Sequence, residues 1–543
     1  MNLMRALVAG GLAVGLAGCG KPVTPQEGGS EPSQGGSGGN PPALVILSGS
    51  ENKELEPLLK TFADEHGMRI EMRYRGSVEI SRELERGADA EGDAVWPAAS
   101  LWIELGDTKR VVRHTQSIFR SPVVFAIKSS LADRLGWKKK DVTVADVLEA
   151  VETRNVRFAM TSATQSNSGA AWYLGCLYAF SGAPDMLTAE HLHSPELRGK
   201  IRRLLGQVDR SSGSSGWLKT FLVEHYAEFD AMVNYEAMVI EANRELEAAG
   251  REPLYMVYPV DGLSIADSAL GLVDKGDADK ERLFLELQKH LLSAPVQDNI
   301  RRLGRRTGMV GIAGGTGAAD VFKPAWGCDL DRILTPVRTP AAPVLREALN
   351  LYQTAFRKPS LTAFVLDVSG SMKGAGETQL KRAMSLLLDP EESARLLLQA
   401  SGEDVSVVVP FNQAPLEAWE FSGNDPETLR QNLRRVQALQ PDGGTDMYSG
   451  ALEAFRRISA RAAAGGFTPA VIVMSDGESK GSLDALKAAL DREGAGADIP
   501  VFTILFGAAS EEQMKLLAES FSGKMFDGRK DVTRAFREAK GYN

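Results

Sequence analysis

In Leu361-Thr362-Ala363-Phe364-Val365-Leu366-Asp367-Val368-Ser369-Gly370-Ser371-Met372 an almost unbroken apolar run ends abruptly in Asp-x-Ser-x-Ser. A run apolar at nearly every position predicts a strand buried on both faces, as in a parallel sheet. Further along, similar strands are expected at 405–409, 470–474 and 499–506, alternating with helical patterns at 380–398, 449–463, 483–493 and 511–520. That alternation predicts an α/β domain, a doubly wound parallel sheet with helices on both faces, over about 358–543. Ligands of such sheets bind beyond the carboxyl ends of the strands. Asp367, Ser369 and Ser371 follow the first strand, Asp476 follows Val471-Ile472-Val473-Met474-Ser475, and Thr445 sits in the tight Gly443-Gly444-Thr445-Asp446 loop before a helix. Two carboxylates and three hydroxyls form a hard, all-oxygen donor set suited to Mg²⁺ or Mn²⁺, and without His or Cys the set disfavours Zn²⁺ and Cu²⁺. Asp442, Asp446 and Glu478 read as solvated or outlying acids.

Asp-x-Ser-x-Ser, a later Gly-Thr and a strand-terminal Asp-Gly together resemble the von Willebrand factor A domain and its metal-ion-dependent adhesion site. The resemblance implies that Ser369, Ser371 and Thr445 bind the metal directly and that Asp367 and Asp476 bind it directly or through water. It also implies that a carboxylate from a protein partner completes the coordination.

Upstream, Ala43–Ser48 is a short apolar strand running into Ser48-Gly49-Ser50, a helical pattern and the alternating Arg69–Tyr74, which makes a βαβ unit. Thr161-Ser162-Ala163-Thr164-Gln165-Ser166-Asn167-Ser168-Gly169 and Asp209-Arg210-Ser211-Ser212-Gly213-Ser214-Ser215-Gly216 are two more hydroxyl-rich turns, each before a helix. A helix start with free N–H groups favours an anionic ligand group, although each serine alone reads equally as an N-cap. The three turns resemble the ligand-facing loops of bacterial extracytoplasmic solute-binding proteins of the two-lobed periplasmic class. Asp93-Ala94-Val95-Trp96-Pro97 and Met232-Val233-Asn234-Tyr235-Glu236 extend the resemblance. Ser121–Ile127 looks like the first crossing between lobes, and Tyr258–Gly262 followed by Ile265–Val273 looks like the return. The resemblance implies a domain at 43–345, with one lobe at about 43–127 and 262–330 and the other at about 128–261. It implies a cleft that closes on a small solute and offers Ser48, Ser50, Ser77, Thr164, Ser166, Ser168 and Tyr235 as ligand candidates. The loops offer no obvious pair of arginines, although Arg75 and Arg210 stand near, and a small oxoanion or anionic organic solute stays open as the ligand.

At the other end, Arg5 and the uncharged run 6–17 lead into Leu16-Ala17-Gly18-Cys19. The run is too short to span a bilayer and fits a signal-peptide core. It resembles a bacterial lipobox, which implies a signal peptide at 1–18, lipidation of Cys19 and anchoring to a lipid bilayer in the cell envelope. Gly20 in place of Asp makes the outer membrane the expected destination where there are two membranes. Residues 19–42, rich in Gly, Ser and Pro, read as a flexible tether. Cys176 and Cys328 are the other cysteines. An oxidising compartment would permit them to pair, but the apolar surroundings of Cys176 favour a buried free thiol.

Composition bounds what remains. The 543 residues carry 62 Lys+Arg against 71 Asp+Glu, a net charge of −9, which leaves no basic excess for nucleic acid. A hydrophobic fraction of 43% with 24% charged residues excludes a disordered chain. There is no phosphate loop, no His-Glu-x-x-His, and the six histidines are scattered. The expectation is therefore a lipid-anchored binding protein, not an enzyme, with a solute cleft and a Mg²⁺-dependent adhesion site for an acidic group of a protein partner. Two alternatives stay open: a metal-assisted envelope enzyme, and an adhesion protein whose first domain is a non-binding scaffold.

Overall fold

The computed structural model describes residues 43–308, 319–330, 332–476, 478–496, 498–507 and 510–542. The expected signal peptide, the tether and Cys19 lie outside the described residues, as does Gly477 of the Asp-Gly pair. Three sheets organise the rest. The first contains β1 (Ala43–Ser48), β2 (Arg69–Tyr74), β3 (Ala94–Trp96), β4 (Val112–Ser117) and β11 (Ala269–Val273), in the order β2-β1-β3-β11-β4. β1 pairs in parallel with both β2 and β3, as the βαβ reading requires, and β11 runs antiparallel to β3 and β4.

The second sheet contains β5 (Ser121–Lys128), β6 (Phe158–Thr161), β7 (Val208–Ser212), β8 (Ala231–Tyr235), β9 (Leu254–Val257) and β10 (Ile265–Ala266), ordered β10-β5-β8-β6-β7 with β9 also on β5. The chain thus changes sheets between β4 and β5 and again between β10 and β11. Ser121–Lys128 is a member of the second sheet over its whole length, so the first change of sheet falls at 118–120, not near 127. The run 265–273 is likewise divided between sheets at Asp267-Ser268, where Ser268 adopts a left-handed φ of 42°. That conformation is held locally: Trp96 Nε1 donates to Ser268 Oγ at 2.9 Å and Ser117 Oγ donates to the Asp267 carbonyl at 2.5 Å.

The third sheet has the order β14-β13-β12-β15-β16-β17, from β12 (Ser360–Asp367), β13 (Val405–Phe411), β14 (Trp419–Ser422), β15 (Thr468–Ser475), β16 (Val501–Leu505) and β17 (Met525–Asp527). All neighbours are parallel except the edge strand β14. Every residue of β12 is buried, which explains why its interior is apolar apart from Thr362: helices cover both faces. The helices Ala375–Leu388, Pro426–Gln437 and Val532–Gly541 pack on one face, and Met447–Ala464, Leu483–Glu493 and Glu511–Ser520 on the other. The helix expected over 380–398 is two helices, because Pro390 cannot donate the hydrogen bond a continuous helix needs and instead starts Pro390–Leu396 with Asp389 as its cap.

The helix Ala342–Leu351 and its π-helical extension Tyr352–Phe356 precede the third sheet. They are no free linker. Leu345, Ala348, Leu349, Tyr352 and Phe356 join the core of the second sheet, and Tyr173 donates its hydroxyl to the Ala348 carbonyl at 2.8 Å. Cys176 and Cys328 are both free and buried, in separate cores.

Candidate functional site

Two groups of predicted residues can be followed, one at the end of β12 and one between the first two sheets. At the end of β12, Asp367 is fully buried and its carboxylate is held from two sides. Ser369 N–H donates to Oδ1 at 2.8 Å and Ser475 Oγ donates to Oδ2 at 2.5 Å. The Ser369 and Ser371 hydroxyls lie 3.0 Å apart, and Ser371 donates to Asp476 Oδ1 at 2.9 Å. β12 and β15 are adjacent and parallel, so their carboxyl ends bring residues 367 and 476 together across 109 positions of sequence. Gly370 N–H donates to the Gly443 carbonyl at 2.9 Å, which seats the loop carrying Thr445 against the Ser369–Ser371 turn. Gly443 takes a φ of 81° there, a conformation glycine reaches without strain.

Burial raises the carboxyl pKa of both Asp367 and Asp476; the hydrogen bonds from Ser369 and Ser475 at one, and from Ser371 at the other, oppose it. Two carboxylates that resist ionisation and a chain of hydroxyls at hydrogen-bond spacing are a donor set that a hard divalent cation fits. Asp446 serves the helix instead: its carboxylate caps Met447–Ala464 by accepting from Ser449 N–H at 3.2 Å.

Between the first two sheets, the expected solute residues divide. Ser50, Ser77, Thr164 and Ser166 line a cavity of about 130 Å³, whereas Ser48, Ser168 and Tyr235 do not. Many of the hydroxyls bond one another or the backbone. Ser166 and Ser168 lie 3.0 and 2.8 Å from the Ser215 hydroxyl, and Ser168 lies 2.8 Å from that of Thr161. Ser48 accepts from Asn52 Nδ2 at 2.9 Å, Ser77 accepts from Ala98 N–H at 3.1 Å and Thr164 lies 3.0 Å from the Ser162 hydroxyl. Tyr235 accepts from Asn167 Nδ2 at 3.1 Å, and burial pushes its phenol pKa well up. Ser50 reaches across: its Oγ accepts from Ser214 Oγ at 3.0 Å and from Gly216 N–H at 3.2 Å, so the two lobes are hydrogen-bonded to each other.

The cavity's remaining wall comes from the end of the chain. Leu396–Leu398, Lys524, Arg537, Glu538 and Tyr542 line it together with Glu51, Arg75, Arg82 and Gln165. Gln165 Nε2 donates to the Arg537 carbonyl at 2.5 Å. Arg75 lines the cavity as expected near the site, but Arg210 does not. Arg210 donates to the Ser522 carbonyl at 2.8 Å and lies over the rings of Trp217, Phe221 and Phe502 at 5.7, 5.2 and 5.4 Å. Burial without a carboxylate pushes its guanidinium pKa down to about 9. Glu51, Arg82, Lys524 and Arg537 were not legible as lining residues in the sequence, because a charged residue in a helix or a connecting segment carries no local sign of whether the fold will enclose it.

Residues 44–306 match the family model described as bacterial extracellular solute-binding protein, and residues 362–525 match that of the von Willebrand factor type A domain. The chain carries a solute-binding domain followed by a von Willebrand factor A domain. Among similar solved structures is iron-bound HitA from Pseudomonas aeruginosa, at 15% identity over 58% of this chain and 99% of that one, with a TM-score of 0.41. The sulfate-binding protein SubI from Mycobacterium tuberculosis is 16% identical over 55% of this chain and 93% of its own, with a TM-score of 0.38. A von Willebrand factor type A protein from Catenulispora acidiphila is 17% identical over 35% of this chain and 43% of its own, with a TM-score of 0.29. No curated protein sequence matches the chain. The solute-binding domain's family points to an extracytoplasmic location. Among the described residues no helix is long and apolar enough to cross a membrane.

Proposed function

We propose that this protein is a lipid-anchored extracytoplasmic binding protein that captures a small anionic solute and engages a protein partner through a Mg²⁺- or Mn²⁺-dependent adhesion site. The observation that carries the adhesion half is the convergence of Asp367, Ser369, Ser371 and Asp476 at the carboxyl ends of two adjacent parallel strands. Thr445, in the loop seated against them, is the fifth donor. A bound divalent cation would supply a positive centre for an acidic side chain of the partner. Leu16-Ala17-Gly18-Cys19 supports the anchor, with the acyl chains on Cys19 holding the protein at the envelope bilayer. A metal-assisted enzyme is the weaker reading, because the Asp-x-Ser-x-Ser turn has no general base of its own beyond the donors.

The test is Mg²⁺-dependent stability. At about 100 times its Kd, Mg²⁺ should stabilise the folded chain by about 2.7 kcal/mol. Asp367→Ala should remove both that gain and Mg²⁺-dependent partner capture. Equal melting with and without Mg²⁺ would sink the adhesion site. A second reading, in which the first domain is a scaffold, is favoured by one observation: Ser166, Ser168, Ser215 and Thr161 satisfy one another's hydroxyls. A panel of small anions and neutral solutes that leaves the thermal melt unmoved would decide for it.

A further inference from the structure

The cavity between the lobes is enclosed by the A domain as well, and its charges do not balance. Arg75 is engaged by Glu79 at 3.7 Å and Glu91 at 3.3 Å, and Glu538 by Arg534 at 3.2 Å. Arg82, Lys524 and Arg537 also line the cavity, and among the described residues none of the three has a carboxylate within ion-pairing distance. Arg82 Nη2 is buried with no hydrogen-bond partner. Arg82 belongs to the first lobe and Arg537 to the last helix of the A domain, yet they are close enough to repel. Burial first, and Arg537 second, push the Arg82 guanidinium down to about 9. Of the acids in the lining, Glu79 also acts on this pair, its carboxyl raised by burial and lowered by Arg537 ahead of Arg75, while Glu51 Oε1 has no hydrogen-bond partner and burial pushes its carboxyl up to about 7.

We propose, resting on the solute-binding reading, that this cavity is a tetrahedral-oxoanion site shared between the two domains, with Arg82 and Arg537 as its facing guanidiniums. An oxoanion placed between them offsets both the desolvation of Arg82 and the repulsion across the junction. Guanidinium forks present paired donors that match oxoanion geometry. The volume of about 130 Å³ far exceeds the roughly 10–15 Å³ one water needs, and suits a phosphate- or sulfate-sized ion. Lys524, which lies 3.3 Å from the Tyr542 hydroxyl, adds a third cation from the A-domain side. Arg537 is already fixed in place by its backbone, since its carbonyl accepts from Gln165 of the second lobe. Occupancy would therefore tie lobe to lobe and both lobes to the A domain.

The experiment is calorimetric titration of the full chain in detergent with inorganic phosphate and, separately, with sulfate, at low ionic strength. Saturable binding is expected with at least one of them. Arg82→Gln and Arg537→Gln should each weaken it roughly tenfold or more, and Arg537→Lys, which keeps the charge, should weaken it less. Arg461→Gln, on the far side of the A domain and paired to Glu420, should leave it unchanged. Retention of full affinity in Arg537→Gln overturns the shared site while leaving solute binding by the lobes intact. Absence of binding by either ion also overturns it, and a neutral-solute panel on the same protein then tests the solute-binding reading separately.

Discussion

Gly541→Ala is the substitution that most directly interrogates the junction between the solute-binding lobes and the A domain. A Cβ built on Gly541 would lie 1.8 Å from Gln165 Oε1, 1.9 Å from Cδ and 2.1 Å from Nε2. Gln165 has little room to retreat, because a Cβ on Gly213 would meet the same Oε1 at 2.4 Å and its Nε2 is committed to the Arg537 carbonyl. Displacing it loses that hydrogen bond, about 1 kcal/mol, and overpacks the junction by about 1–3 kcal/mol. Against this stands a gain of up to about 1 kcal/mol from replacing glycine by alanine in a helix, smaller at the helix end where Gly541 sits. The net expectation is a loss of about 1–3 kcal/mol. Urea unfolding followed by tryptophan fluorescence reads it, since Trp217 at the junction lies 5.0 Å from the Tyr542 ring. In a Gln165→Ala background the steric part should vanish, giving a coupling of about 1 kcal/mol or more in the double-mutant cycle. An equal loss in both backgrounds, or no loss at all, would show that Gln165 is not clamped against Gly541.

Glu51→Gln should stabilise the protein above neutrality. The Glu51 carboxyl is raised to about 7 by burial, so its contribution is intact below the unfolded value near 4.3 and is lost as pH rises through about 7. Thermal melts of variant and wild type should coincide near pH 4 and diverge by roughly 1–3 kcal/mol at pH 8; parallel pH profiles would refute this. Asp404 behaves oppositely. Burial works to raise its pKa, but Arg357 and the N–H groups of Ser360 and Ser401 prevail and bring it to about 2. Its stabilisation is full above about pH 4 and lost as pH falls toward 2, and Arg357→Ala should cost about 3–5 kcal/mol at neutral pH by stranding that carboxylate. A loss under 1 kcal/mol in urea unfolding would show the pair to be solvated. Arg210→Ala, which removes the bond to the Ser522 carbonyl and the contacts with three rings, should lower stability by about 2 kcal/mol or more by the same assay, and an unchanged midpoint would discount the contact.

The third sheet was legible in the sequence because a strand covered on both faces must be apolar at nearly every position, as 361–366 is apart from Thr362 and 471–474 is throughout. Its metal-site candidates were legible for the same reason: the residue types sit immediately after those strands, where adjacent parallel ends converge. Strands β14 and β17 escaped notice. The edge strand β14 alternates buried and exposed, and β17 is only three residues long, too little pattern to stand out. In the first domain the hydroxyl-rich turns at helix starts were visible as turns, but what each serine bonds was not. A serine that caps a helix, bonds a neighbour or faces a cavity looks the same along the chain.

The alternating core strands and helices of the third sheet and the five oxygen donors of the candidate metal site are legible in local periodicity and residue type, whereas the two-lobed architecture of the first domain came from a family resemblance carried by its hydroxyl-rich turns. The assembled fold was needed to reveal that Ser50 joins the lobes through Ser214 and Gly216, that Arg210 crosses into the A domain, and that Arg82 and Arg537 share one cavity. These are contacts between surfaces. Residues 82 and 537 stand 455 positions apart, and no local pattern records which polar face of one element will be buried against which face of another.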